Sequence, residues 1–204
     1  VVLGAAGEGI RLTLPPNALS APAVIYASTD PINHPIRISF ASLSDGLSNA
    51  PTGQLLIPGS LVEIVPTVGG RPFTGNLGSP ATLSIPYRDA GGDGLLDGVS
   101  PPLPAASLRI FTLDTAVGRW VALPTTVDRA ARRASATTPH FSVFAMFATS
   151  GIGTSLSGIR AYPVPWKVGS GGRFDAAGIV FDTLPLEGGI RLFNLAGDSV
   201  RELS

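Results

Sequence analysis

Through the first 148 positions apolar and polar residues alternate with period two in short runs, and Gly, Pro, Asn or Asp stands in almost every gap. IRLTLPPNAL gives a strand that closes on a proline turn, AVIYAST a second strand, HPIRISFASL a third and SLVEIVPTV a fourth. ATLSIPY, SLRIFTL, RWVALP and HFSVFAMFA supply four more. Few stretches of a dozen residues escape Gly or Pro, so helix is almost excluded. VDRAARRASA is the one helical candidate; it is too short to be stable alone and lies between two strand patterns, which predicts a hairpin. Strands roughly 10 to 15 residues apart with turn chemistry in each gap predict an all-β protein, an antiparallel β-sandwich.

The alternation stops after residue 148, and small and polar residues fill 149–158. This predicts a β-sandwich domain over 1–148, a linker over 149–158 and a second module over 159–204. In that module IRAYPVPW, GIVFDTLP, GIRLFNLAG and DSVRELS read as four short strands. Its 46 residues are few for an independent β-domain without disulfide or metal. Ile179, Phe181, Ile190, Leu192 and Phe193 form an apolar face that so short a sheet leaves uncovered beside open edges, which predicts self-association or a neighbouring chain as partner. Tyr162, Trp166 and Phe174 are expected to pack the small core there.

Composition narrows the function. Hydrophobic residues make up 44% and charged residues 14%, so Ser, Thr, Asn, Gly and backbone must cover much of the surface. The 14 basic and 14 acidic residues cancel and do not cluster, which excludes nucleic acid as the main partner. With no Cys there is no disulfide, thiolate metal site or cysteine nucleophile. No apolar run approaches ~18 residues, so no membrane span is expected. The opening VVLGAAGEG has no Met and no basic leader, so the chain reads as a mature or excised piece of something longer.

GEGIRLTLPPNALSAPAVI, ATLSIPYRDAGGDGLLDG, LRIFTLDTAVGRWVALP and TTPHFSVFAMF together resemble a bacterial extracellular version of the β-sandwich of netrin receptors, ankyrins and zonula occludens proteins. Residues 161–204 resemble the first half of the immunoglobulin-like module of flagellar hook-capping proteins, so the second module is expected to be an incomplete immunoglobulin-like β-segment. The resemblances imply a secreted bacterial protein at the cell surface.

In the first group a His-(Phe/Leu)-(Ser/Thr) tripeptide can cut its own backbone, and His140, Phe141 and Ser142 match that order. The Ser142 hydroxyl would attack the Phe141 carbonyl in an N-to-O acyl shift, His140 would take the proton, and water would hydrolyse the ester. The plainer reading makes His140 the close of a turn after Pro139 and Phe141 the start of a buried strand. RDAGGDGLLDG resembles the D-x-D-x-D-G-x-x-D calcium loops of extracellular proteins, with Asp89, Asp93 and Asp97 as candidate ligands and Gly91 where the second Asp should stand. His34 lies in a Pro-rich turn, two His residues give a zinc site almost no material, and GSGGRF lacks the Lys of a phosphate loop.

The combined expectation is a non-enzymatic extracellular structural or adhesive surface protein, a filament or array subunit assembled by β-strand addition between subunits. Two other functions fit the residues: an autoproteolytic module cut between Phe141 and Ser142, and a carbohydrate-binding accessory module of a secreted enzyme, whose glycan contact would depend on Trp120 or Trp166.

Overall fold

The computed structural model describes residues 2–3, 9–100, 102–149, 159–182, 184, 189–194 and 196–203. The chain divides into two compact units, residues 1–150 and 151–204. Of the expected linker, 150–158 lie outside the described residues, and Thr149 is the last residue of a strand.

The strands of the first unit are β1 (Val2–Leu3), β2 (Ile10–Thr13), β3 (Ala23–Ser28), β4 (Gln54–Leu56), β5 (Val62–Val68), β6 (Arg71–Pro72), β7 (Ala81–Pro86), β8 (Leu108–Asp114), β9 (Arg119–Ala122), β10 (Thr125–Asp128), β11 (Arg133–Thr138) and β12 (Val143–Thr149). Among the described residues they form two antiparallel sheets. The smaller runs β1-β2-β7-β11-β10; the larger runs β3-β5-β12-β8-β9, with β4 added beside β12 and β6 beside β5. The two sheets pack together as an all-β sandwich. VDRAARRASA is the hairpin expected of it: Thr125 to Asp128 pair with Ala136 to Arg133, and the Asp128 carboxylate accepts the Ala131 N–H at 2.9 Å.

Alternation builds the space between the sheets. In β7, Ala81, Leu83 and Ile85 are buried while Thr82, Ser84 and Pro86 are half-exposed. They meet Leu12 of β2, Val62 and Ile64 of β5, Ile110 of β8, and Phe144 and Met146 of β12. The larger sheet has a second apolar face. Phe111, Leu113, Trp120, Val143, Ala145 and Phe147 point away from the sandwich interior and pack with Leu43 and Leu61. A strand covered on both faces loses its alternation, which is why β12 reads Val-Phe-Ala-Met-Phe-Ala without a polar break.

The cover over that second face is helix α1 (Phe40–Ser48), which corrects the strand expected from HPIRISFASL. The Ser39 side chain caps it by accepting the Ser42 N–H at 3.1 Å, and Leu43, Gly46 and Leu47 fall on one face at helical spacing. The apparent alternation of Ile36, Ile38 and Phe40 is accidental: Phe40 is 72% exposed. Gly46 lets the helix lie close on the sheet, since a Cβ there would stand 2.7 Å from Leu113 Cδ1. The Trp120 indole N–H donates to the Gly46 carbonyl at 2.8 Å, and its ring meets Phe147 edge-on at 5.2 Å between centroids.

The proline turn after β2 is fixed by its neighbours. Asn17 holds a left-handed φ of 63°, and the Gly78 N–H donates to the Ala18 carbonyl at 3.0 Å. Position 78 must lack a side chain, because a Cβ there would lie 2.5 Å from the Asn17 carbonyl oxygen.

The second unit contains β13 (Arg160–Tyr162), β14 (Val180–Asp182), β15 (Ile190–Phe193) and β16 (Ser199–Leu203). These are the four short strands expected there. They form two separate two-stranded antiparallel sheets, β13-β14 and β15-β16. No described residue from 159 to 203 is fully buried. The Arg191–Glu202 ion pair across β15 and β16, at 3.0 Å, is itself largely exposed.

Candidate functional site

The tripeptide lies in the four-residue passage that carries the chain from β11 in one sheet to β12 in the other. Thr138, fully buried at the end of β11, donates its hydroxyl to the His140 carbonyl at 2.7 Å. The β12 ladder begins one residue after Ser142, with Val143 opposite Glu63 and Phe144 opposite Val62 of β5. Upstream of Val143 the bond to β5 runs from the Ile64 N–H to the Ser142 carbonyl at 3.0 Å, and the Leu77 N–H donates to the Pro139 carbonyl at 2.7 Å. The Ser142 hydroxyl donates to the Leu113 carbonyl at 2.8 Å. Left-handed φ among the described non-glycine residues occurs at Asn17 and Arg132, not at His140, Phe141 or Ser142.

Where the passage leaves β5, the sheet opens into a cleft of about 490 Å³. Arg37, Val65, Pro66, Phe73, Phe141 and Ser142 are among the residues that line it. His140 is not among its lining residues. Pro66 fits this gap because it has no N–H to offer a missing neighbour, while its carbonyl accepts the Phe73 N–H at 2.8 Å.

Glu63, which sequence reasoning passed over, is the most heavily bonded side chain beside the tripeptide. It is 2% exposed within an apolar strand, and its carboxylate accepts the N–H groups of Ile36, Arg37 and Ile38 at 2.6, 2.8 and 2.7 Å. One side chain thereby takes up the backbone donors of the segment expected to be a strand, and leads it into α1. The available signal was an acid at the centre of SLVEIVPTV, since a buried carboxylate needs several donors.

The acidic loop is stapled by its own carboxylates. Asp89 accepts the Gly94 N–H at 3.1 Å, Asp93 the Leu95 N–H at 2.9 Å and Asp97 the Ala90 N–H at 2.7 Å. Asp89 is buried while Asp93 and Asp97 are exposed, and among the described residues no group of three or more His, Cys, Asp or Glu is placed to hold a metal ion. Asp89 Oδ1 and the Tyr87 hydroxyl are both buried without a hydrogen-bond partner. Burial, and then the nearby Asp89 carboxylate, push the Tyr87 phenol above its ordinary pKa.

The aromatic residues separate differently from expectation. Trp120 is buried in the face under α1 and offers no platform to a sugar. Tyr162 and Trp166 are 49% and 43% exposed instead of forming a closed core, and the Trp166 indole N–H donates to the Ala176 carbonyl at 2.8 Å. In GSGGRF the Asp175 carboxylate already accepts the Gly169 and Gly171 N–H groups at 2.8 Å each, so this glycine loop holds an internal anion. His34 is exposed in a turn closed by its N–H on the Asp30 carbonyl at 2.8 Å.

No family model, curated protein or solved structure matches the chain.

Proposed function

We propose that the chain is a non-enzymatic structural or adhesive component of a bacterial cell surface, a subunit that assembles with further copies of itself by strand addition. The observation that carries this reading is the second unit. Two separate two-stranded sheets leave their outer edges unpaired among the described residues, and none of their residues is fully buried. A two-stranded sheet is marginal on its own in water and gains stability from a further strand or a covering surface. Ile179, Phe181, Ile190 and Leu192 are half-buried and Phe193 is 59% exposed, so apolar area is available to a neighbouring copy. A rigid sandwich tied to an adhesive β-segment is a subunit for an extended array.

Electron microscopy and light scattering of the purified full chain test this. Wild-type protein is expected to form polymers, and Phe193→Lys combined with Val200→Lys, both exposed on β15 and β16, is expected to abolish them at unchanged sandwich stability. A wild-type chain that stays monomeric at high concentration overturns the proposal.

A further inference from the structure

The sandwich has an open edge of its own. Among the described residues strand β3 ends the larger sheet and pairs on one side only, with Ala23 to Ser28 opposite Val68 to Glu63 of β5. Because the Ile64 N–H points toward Ser142, the backbone groups of Glu63, Val65 and Thr67 turn the other way, to β3. Their partners Ser28, Tyr26 and Val24 answer them, so Ala23, Ile25 and Ala27 direct N–H and C=O groups outward.

Natural sheets protect such edges with charge, proline, a bulge or very short length. The other edges follow this rule: β1 has two residues, β9 opens on Arg119, and β10 ends on Asp128 before Arg129. Within its span β3 carries none of these devices, and Pro22 stands just before it. The strand is six residues long, no charge occurs from Ser20 to Thr29, and Val24 and Tyr26 are 57% and 51% exposed.

We propose that β3 is a dimer interface, pairing antiparallel with β3 of a second copy across a two-fold axis at Ile25. In a two-fold contact residue i meets residue j of the second copy and j meets i, so only a residue on the axis meets its own mate. Ile25 then faces the second Ile25 and Ala23 faces Ala27, through the outward backbone groups. Val24 lies against Tyr26 of the second copy, an exposed β-branched residue against an exposed aromatic, one of the favourable cross-strand pairs. Self-pairing of this kind brings any charge close to its own copy, and the uncharged stretch from Ser20 to Thr29 removes that repulsion on both flanks. The partner strand is therefore β3 of a second copy, since a charged strand would find no complementary charge on β3. The contact does not depend on the second unit.

Sedimentation velocity over a concentration series tests it with the full chain, in wild type, in Val24→Lys/Tyr26→Lys and in Phe193→Lys/Val200→Lys. The expected result is a dimer that survives the second pair of substitutions, while the first pair raises its dissociation constant roughly a hundredfold or more by setting like charges opposite each other. At concentrations where both are monomeric, melting of Val24→Lys/Tyr26→Lys should match wild type, as both side chains are exposed in the single chain. Hydrogen exchange reads the backbone directly: the Ile25 and Ala27 amides should gain protection as concentration rises. A dimer unaffected by the β3 substitutions, amides that exchange equally at every concentration, or a Phe193→Lys/Val200→Lys protein that is monomeric throughout overturns the β3 interface. Polymers that persist in Val24→Lys/Tyr26→Lys with no dimer step leave the second-unit assembly standing and remove this one.

Discussion

Glu63 shows how one side chain can set a local fold. Three backbone N–H groups in succession point at its two oxygens, and bonds from an N–H to a charged acceptor are stronger than neutral ones. Glu63→Gln replaces an acceptor oxygen by a donating NH₂ inside that ring of donors, leaving a buried N–H unsatisfied. The expected loss is about 2 kcal/mol in urea unfolding; a loss below about 0.5 kcal/mol would show that the 36–38 segment is held by other contacts. Little of this was legible. The acid stood in plain view in the sequence, but its donors come from residues 25 to 27 positions earlier, a separation that alternation cannot report.

Among the elements, the strands read well because burial on one face writes itself as period two, as in β2 and β7. Helix α1 was missed because Ile36, Ile38 and Phe40 imitate that period, while its own signals, the Ser39 cap and the Leu43, Gly46, Leu47 spacing, occupy only nine residues and contain a glycine. In the acidic loop, spacing along the chain does not fix where side chains converge, and each Asp accepts a backbone N–H of the loop itself. Leu43 tests the role of the helix. It is 2% exposed on the inner face of α1, so Leu43→Ala should cost about 2 to 5 kcal/mol in urea unfolding, whereas Phe40→Ala, at 72% exposure, should change little. Equal effects of the two would mean that α1 does not seal the sheet.

For the whole molecule, the contrast between the units is large. The sandwich buries an apolar core between its sheets and a second one beneath α1, while no described residue of 159–203 is fully buried. Regions with few buried apolar contacts open at low free-energy cost and are cut first. Limited proteolysis of unassembled protein should therefore cleave within 159–203 and leave a resistant fragment of about residues 1–150, with mass spectrometry reading the boundary. First cuts inside the sandwich would reverse that ranking. The last strand of the sandwich is also the middle strand of its larger sheet, held by β5 and β4 on one side and β8 on the other. A nascent chain on the ribosome that has not yet delivered Val143–Thr149 can place β3 beside β5 and β8 beside β9, but no strand of the larger sheet links the two pairs. The larger sheet is thus completed only once residue 149 has emerged, when one short hydrophobic segment takes a place flanked on both sides.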